Sequence, residues 1–180
     1  VEARTSELLP VPYFHVVFTL PDELNTLALH QPKIVYDALF KAAWQTIEAF
    51  TGKNNKPGMI SILHTWGQNL SLPQHVHCII PGGFVTPNDV WKLSKNQGKF
   101  LFPVKAMSRV YRAKYVALLK ASVLEVHQTI YDSLFKKEWV VYAKRPFGTP
   151  ASVVEYLGRY THKIAISNHR IISMDDLTIT

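Results

Sequence analysis

The run His75-Val76-His77-Cys78-Ile79-Ile80 constrains the fold of this chain more than any other segment. It is rich in β-branched and apolar residues and is closed by Pro81-Gly82-Gly83, which predicts a strand. Alternate side chains of a strand point to opposite faces. His75, His77 and Ile79 therefore share one surface, while Val76, Cys78 and Ile80 share the other. Two imidazoles two residues apart can grip one metal ion. Eight histidines in 180 residues often produce such a spacing by chance, so the neighbouring segments have to decide its meaning.

Those segments predict an α+β domain. Tyr13 to Leu20 reads as a first strand ended by Pro21, and Pro32 to Phe50 as a helix stopped by Gly52, Asn54 and Asn55. Met59 to Thr65 is a second strand, joined to the histidine strand by a Gly- and Pro-containing connection that suits an antiparallel pair. Asp89 to Leu93 reads as a short helix, Ser94 to Lys99 as an exposed loop, and Pro103 to Val126 as the strongest helical pattern. Trp139 to Ala143 reads as a strand. Phe147 to Pro150 then turns into a helix running to about Tyr160, with Thr149 as its cap and Pro150 at its first position. Ile164 to Ser167 and Arg170 to Met174 would close the chain as a hairpin. The length suits one domain over residues 1–180, and the start at Val1 suggests a piece of a longer protein.

An antiparallel return brings His64 beside His75 and His77, giving three neutral nitrogens and room for substrate oxygens. Gln68 and Gln74 remain alternative third ligands. In the predicted last helix, Tyr156 and Tyr160 are i and i+4 and share a face. Arg159, His162 and Lys163 flank them. A phenol is a poor nucleophile at neutral pH, so nearby cations or a metal are needed to favour its phenolate. On the helix from Pro103, Lys105, Arg109, Arg112 and Lys120 fall on one arc, beside an apolar arc of Val104, Met107, Tyr111, Tyr115 and Leu118. No acid occurs between Asp89 and Glu125, and Lys144-Arg145 adds charge after a strand.

Twenty Lys and Arg against 13 Asp and Glu give a net charge of +7, which favours a polyanionic partner. No apolar run reaches the length of a membrane span and no signal-peptide pattern opens the chain, so nucleic acid is the expected partner rather than a membrane. The single cysteine, Cys78, excludes an internal disulfide and a Cys-rich zinc module and fits a reducing compartment.

Taken in order, Tyr13 to Pro21, His64-Thr65-Trp66-Gly67-Gln68, His75 to Gly83, Trp139 to Phe147 and Tyr156 to Arg170 resemble the HUH-superfamily transposases with two tyrosines, of the insertion sequence 91 type. The resemblance implies a central antiparallel sheet flanked by helices, with the tyrosine helix packed near the metal-site strand. It makes His75 and His77 metal ligands, His64 a third by looser match, and Tyr156 and Tyr160 the nucleophiles. Mg²⁺ or Mn²⁺ is the implied cofactor. The implied activity is nicking and strand transfer of single-stranded DNA through a 5′-phosphotyrosine, on hairpin-containing transposon ends and target DNA, in a prokaryotic cytoplasm at the nucleoid. Lys105, Arg109, Arg112, Lys144, Arg145, Arg159 and Lys163 are the expected DNA contacts. A relaxase-like or replication-initiator nickase, or a non-catalytic single-stranded DNA binder, are the alternatives. The cysteine-rich segment common in this family has no counterpart here, and the extra histidines that relatives often carry before His75 are replaced by Leu70-Ser71-Leu72-Pro73-Gln74.

Overall fold

The computed structural model describes residues 8–65, 74–94, 101–122, 125–144, 147, 152, 153, 155, 156 and 158. The chain opens with β1 (Tyr13–Thr19), passes a 3-10 turn at Asp22–Leu24, and enters α1 (Asn25–His30) and α2 (Pro32–Thr51). Pro32 occupies the first turn of α2, where its missing N–H breaks no helix bond. Gly52 ends α2 at φ 95°, a conformation that a Cβ resists. Among the described residues five strands follow: β2 (Lys56–Pro57), β3 (Ile60–His64), β4 (His75–Pro81), β5 (Gly83–Val85) and β6 (Trp91–Leu93). Then come α3 (Val104–Lys120), α4 (Gln128–Lys136) and β7 (Val141–Ala143). Ser152, Val153, Glu155, Tyr156 and Gly158 are helical.

The main sheet is antiparallel in the order β3-β4-β1-β7, and β2-β5-β6 form a second, smaller antiparallel sheet. The histidine strand β4 thus lies inside the main sheet. Phe14, Val16 and Phe18 of β1 and Val76, Cys78 and Ile80 of β4 face the main core. Burial pushes the Cys78 thiol up to about 12, so it keeps its proton and packs as a small apolar group.

α2 and α3 cover that face, with Tyr131 and Leu134 of α4 joining the same core. Val35, Ala38, Leu39, Ala42, Ala43, Thr46 and Ile47 recur at three- and four-residue intervals and form the buried stripe of α2. Its three alanines let α3 approach closely, and the two helices pack together. α3 buries Met107, Tyr111, Tyr115, Val116 and Leu119. Tyr111 lies between Phe18 and Trp139, with ring centroids at 5.0 and 5.2 Å, and the Tyr115 hydroxyl donates to the Val35 carbonyl at 3.3 Å.

Several expectations need correction. Asp89 to Leu93 is not a helix: Thr86 to Val90 form a turn with Asp89 at φ 55°, and Trp91–Leu93 pairs back on β5. The Pro87-Asn88-Asp89 sequence closes a hairpin. β4 ends at Pro81, one residue beyond the expected Ile80, and the chain turns at Gly82 straight into β5. α3 ends at Lys120 rather than Val126, and α4 was not foreseen from the pattern at all. Trp139 and Val140 precede β7 instead of belonging to it. Ser94 is buried, although the sequence placed it in an exposed loop. The expected cap at Thr149-Pro150 and the closing hairpin lie outside the described residues.

Candidate active site

Opposite the main core, the sheet presents a second face. Antiparallel register sets His64 directly across from His75, Ile62 across from His77, and Val17 across from His77 on the other side. Residues directly opposed on paired strands share a face. His15, two residues from Val17, joins them. The histidines therefore meet because three adjacent strands align, which no single segment reveals.

His64, His75 and His77 each offer one nitrogen, and these nitrogens lie within 4.8 Å of one another. The ring centroids of His64 are 5.3 Å from His75 and 4.7 Å from His77, and those of His75 and His77 are 4.8 Å apart. Nitrogens sharing one ion at bonds of about 2 Å lie about 3–4 Å apart, so the cluster fits a single divalent cation after small side-chain adjustments. Both expected ligands and the looser His64 are in the cluster. Of the alternative third ligands, Gln74 is fully buried and Gln68 lies outside the described residues.

A tyrosine adjoins the histidines. The Tyr156 hydroxyl is 2.7 Å from His15 Nε2 and 2.7 Å from His77 Nδ1, and those two nitrogens are themselves 2.7 Å apart. The His15 and His77 rings stack, with centroids 5.0 Å apart and planes within 3°. With Nδ1 of His77 so engaged, Nε2 is the nitrogen that a metal would take. Which of these nitrogens carries a proton follows from the network rather than from observed hydrogens.

A small apolar cluster seats this tyrosine. Val153 is fully buried against Tyr13 and Ile79, and Leu8, Val11, Phe147 and Tyr156 pack around them. Val153 and Tyr156 are i and i+3 on one helical face. The first anchors the helix to the sheet and the second is thereby held over the histidines. Ile79, on the histidine face of β4, supplies the greasy floor.

His15 was not foreseen as a site residue. It is 5% exposed, and its Nδ1 has no hydrogen-bond partner among the described residues. Burial first, then the charge of Lys144, then His75, lower its pKa to about 4, so it is neutral at pH 7. The signal was present in β1, where Phe14, Val16 and Phe18 are uniformly apolar while His15 interrupts the opposite alternation.

The basic residues divide between two places. Lys144, just after β7, is exposed and its backbone N–H donates to the His15 carbonyl at 2.9 Å, which puts its charge beside the histidine centre. Lys105, Arg109, Arg112 and Lys120 ride on α3, which covers the other side of the sheet. There Lys105 and Arg109 are exposed, and Arg112 Nη1 donates to the carbonyls of Phe135 at 3.2 Å and Lys137 at 2.9 Å. The Lys120 ammonium lies 4.9 Å from the centre of the Tyr131 ring. Tyr160, Arg145, Arg159 and Lys163 lie outside the described residues. Among the described residues, no helix is long and apolar enough to cross a membrane.

Residues 58–180 match the family model Y2_Tnp, described as "Putative transposase". The chain is 36% identical over 196 residues to "Putative transposase y4qJ" of Sinorhizobium fredii, a match covering 98% of this chain and 49% of that one. It is 27% identical over 187 residues to the transposase for insertion sequence element IS801 of Pseudomonas savastanoi pv. phaseolicola, covering 95% of this chain and 44% of that one. The chain thus spans about half the length of these curated relatives. Among solved structures it is similar to the metal-bound conjugative relaxase TrwC in complex with OriT DNA, at 14% identity and a TM-score of 0.47, over 88% of this chain and 61% of that one. A REP-associated tyrosine transposase bound to a REP hairpin is similar at 10% identity and a TM-score of 0.35, over 84% of this chain and 64% of that one.

Proposed function

This chain belongs to the Y2_Tnp transposase family, and we propose that it is the catalytic domain that nicks and rejoins single-stranded DNA through a covalent 5′-phosphotyrosine on Tyr156. The observation that carries this reading is the 2.7 Å contact between the Tyr156 hydroxyl and His77, a member of the three-histidine cluster. A phenol held against a metal-ligating histidine has the placement that attack on a bound phosphate requires.

His64, His75 and His77 would hold Mg²⁺ or Mn²⁺. Bound there, the ion would act as a Lewis acid on the oxygens of the scissile phosphate. The protein's own groups supply the rest. His77 Nδ1–H donates to the phenol oxygen and stabilises the charge that develops on it, while the phenol O–H donates to the lone pair of His15 Nε2. As the Tyr156 oxygen bonds to phosphorus, its proton passes to His15 and the bond from phosphorus to the 3′ oxygen breaks. The departing oxygen takes a proton from solvent and becomes a 3′-hydroxyl. Because the phosphotyrosine keeps the energy of the phosphodiester, a second 3′-hydroxyl can reverse the attack and join a new strand.

Tyr160 is the second nucleophile in this proposal, so that two strand ends can be held in turn. Lys144 and, from the tyrosine segment and its approach, Arg145, Arg159 and Lys163 would neutralise the phosphates flanking the cut. The substrates are the single-stranded, hairpin-containing ends of a transposable element and its target, which places the enzyme with DNA in a prokaryotic cytoplasm.

The test is incubation with a labelled single strand carrying a transposon end, with Mn²⁺ or EDTA, followed by denaturing electrophoresis. We expect an SDS-resistant adduct that EDTA abolishes, and that is lost in the Tyr156→Phe, Tyr160→Phe double variant. His75→Ala and His77→Ala should also weaken Mn²⁺ binding in calorimetry, without any DNA present. Equal cutting by the double tyrosine variant overturns the covalent mechanism, and unchanged Mn²⁺ affinity overturns the metal site.

A further inference from the structure

Between the first half of α3 and the connection from α4 to β7 lies a groove of about 520 Å³, away from the histidine face. Its walls carry Lys105 and Arg109 from α3 and Lys136 from the end of α4, all exposed. Two further cations line it. Arg112 bonds the carbonyls of Phe135 and Lys137, and Lys137 pairs with Glu23. Glu138 is the acid among the lining residues. Charge from two separate helices thus converges on one recess.

The recess also holds an aromatic surface. Phe135 is 49% exposed, and the Arg112 guanidinium lies 5.1 Å from its ring centroid. A half-exposed ring backed by a cation and flanked by exposed lysine and arginine heads is the combination that takes an unpaired base together with its phosphates. A volume within the range of small-ligand sites admits a nucleotide-sized guest. A duplex keeps its bases paired and stacked, and cannot lay one on a recessed ring.

We propose that this groove is a seat for single-stranded DNA, in which a base stacks on Phe135 and the adjoining phosphates meet Lys105, Arg109 and Lys136. This rests on the reading of the chain as an enzyme of single-stranded DNA and extends it to a second contact, remote from the cut. The groove reaches Val140 and Val141 at the β7 edge of the main sheet. On that same edge Tyr142 stands opposite Val17, on the histidine face, so a strand leaving Tyr156 over β7 would arrive at the groove.

The test is fluorescence anisotropy with an unstructured labelled oligonucleotide in EDTA, where no cleavage competes, across a salt series. Replacing Lys105, Arg109 and Lys136 together by Gln should weaken binding and make the slope of log affinity against log salt shallower by about 2. Lys53→Gln, an exposed lysine elsewhere, is the comparison for loss of charge. Phe135→Ala should weaken binding by about 5- to 150-fold with the salt slope unchanged. Phe135→Trp should retain binding, which separates stacking from a packing defect. Salt slopes of the triple variant matching Lys53→Gln overturn the proposal. So does a loss confined to a blunt duplex with Phe135→Ala silent, which would make the groove a duplex seat. A wild-type protein that forms no adduct yet shows these binding losses would sink the nicking mechanism and leave the groove in place.

Discussion

Replacing Arg112 by Ala should destabilise the fold, and the structure allows the size to be worked out. The guanidinium Nη1 donates to Phe135 and Lys137 carbonyls at the end of α4, groups that have no partner within the helix. A hydrogen bond from a charged group is worth about 1.5–3 kcal/mol when buried. Both bonds here reach solvent and one is long, at 3.2 Å, so about 1 kcal/mol for the two together is reasonable. The stack on Phe135 adds about 0.5–1 kcal/mol at an exposed site. The sum, about 1.5–2 kcal/mol, corresponds to a fall in melting temperature of about 3–8 °C for a domain of this size. Arg109→Ala, on the same helix but exposed, should stay within about 0.5 kcal/mol. Arg112→Lys should recover little, since an ammonium lacks the planar fork and stacks poorly. Calorimetric melting of the three variants, with DNA affinity measured beside it, decides the matter. If Arg112→Ala melts like the wild type while losing DNA as steeply as Arg109→Ala, Arg112 serves DNA and does not clamp α4.

Other changes separate the fold from the chemistry. Gly83→Ala would set a Cβ 2.5 Å from the Lys92 carbonyl and 2.5 Å from the Trp91 ring, so it should cost about 2 kcal/mol or more in urea unfolding. A loss near zero would mean that the β5–β6 hairpin shifts freely. His15→Ala should slow single-turnover adduct formation by about 10²- to 10⁴-fold with DNA affinity retained, and His15→Gln should recover part of the rate by keeping an acceptor. Equal rates in wild type and His15→Ala remove it from the reaction. The hydrogen bond from Lys137 holds the Glu23 carboxyl below its ordinary value. Its contribution to stability should therefore be complete above the unfolded carboxylate pKa and should disappear as pH falls through the folded one. Lys137→Ala should lower the melting temperature at pH 7 and have no effect at pH 2. A difference that persists in acid would assign the effect to something other than this pair.

Local sequence carried the strands of the site well. The period of two in His75 to Ile80 fixed which residues share a face, and the apolar return from Met59 made His64 the natural neighbour of His75, as the register has it. Features set by long-range contacts were less visible. His15 belongs to the centre only because β1 pairs with β4, and it meets Tyr156 from 141 residues away in the chain. α4 has no strong start signal, being capped by the His127 side chain, and its end is closed from outside by Arg112 and by the Trp139 indole on the Leu134 carbonyl. The short apolar run at Val90 to Leu93 fits a helix or a strand equally well. The positive φ of Asp89 and the partner strand β5 decide for the strand.

The apolar cluster of Tyr13, Ile79 and Val153 is separate from the main core, on the other side of the sheet. Two cooperative units of very different size therefore share one sheet. The larger holds most of the buried apolar side chains, and the smaller is the one that Tyr156 packs against. Local opening is easiest where few apolar contacts are buried, so the smaller cluster is expected to exchange amide protons faster than the main core. In the proposed mechanism the nucleophile would thus be seated through Val153, by contacts separate from the histidine cluster and from the main core.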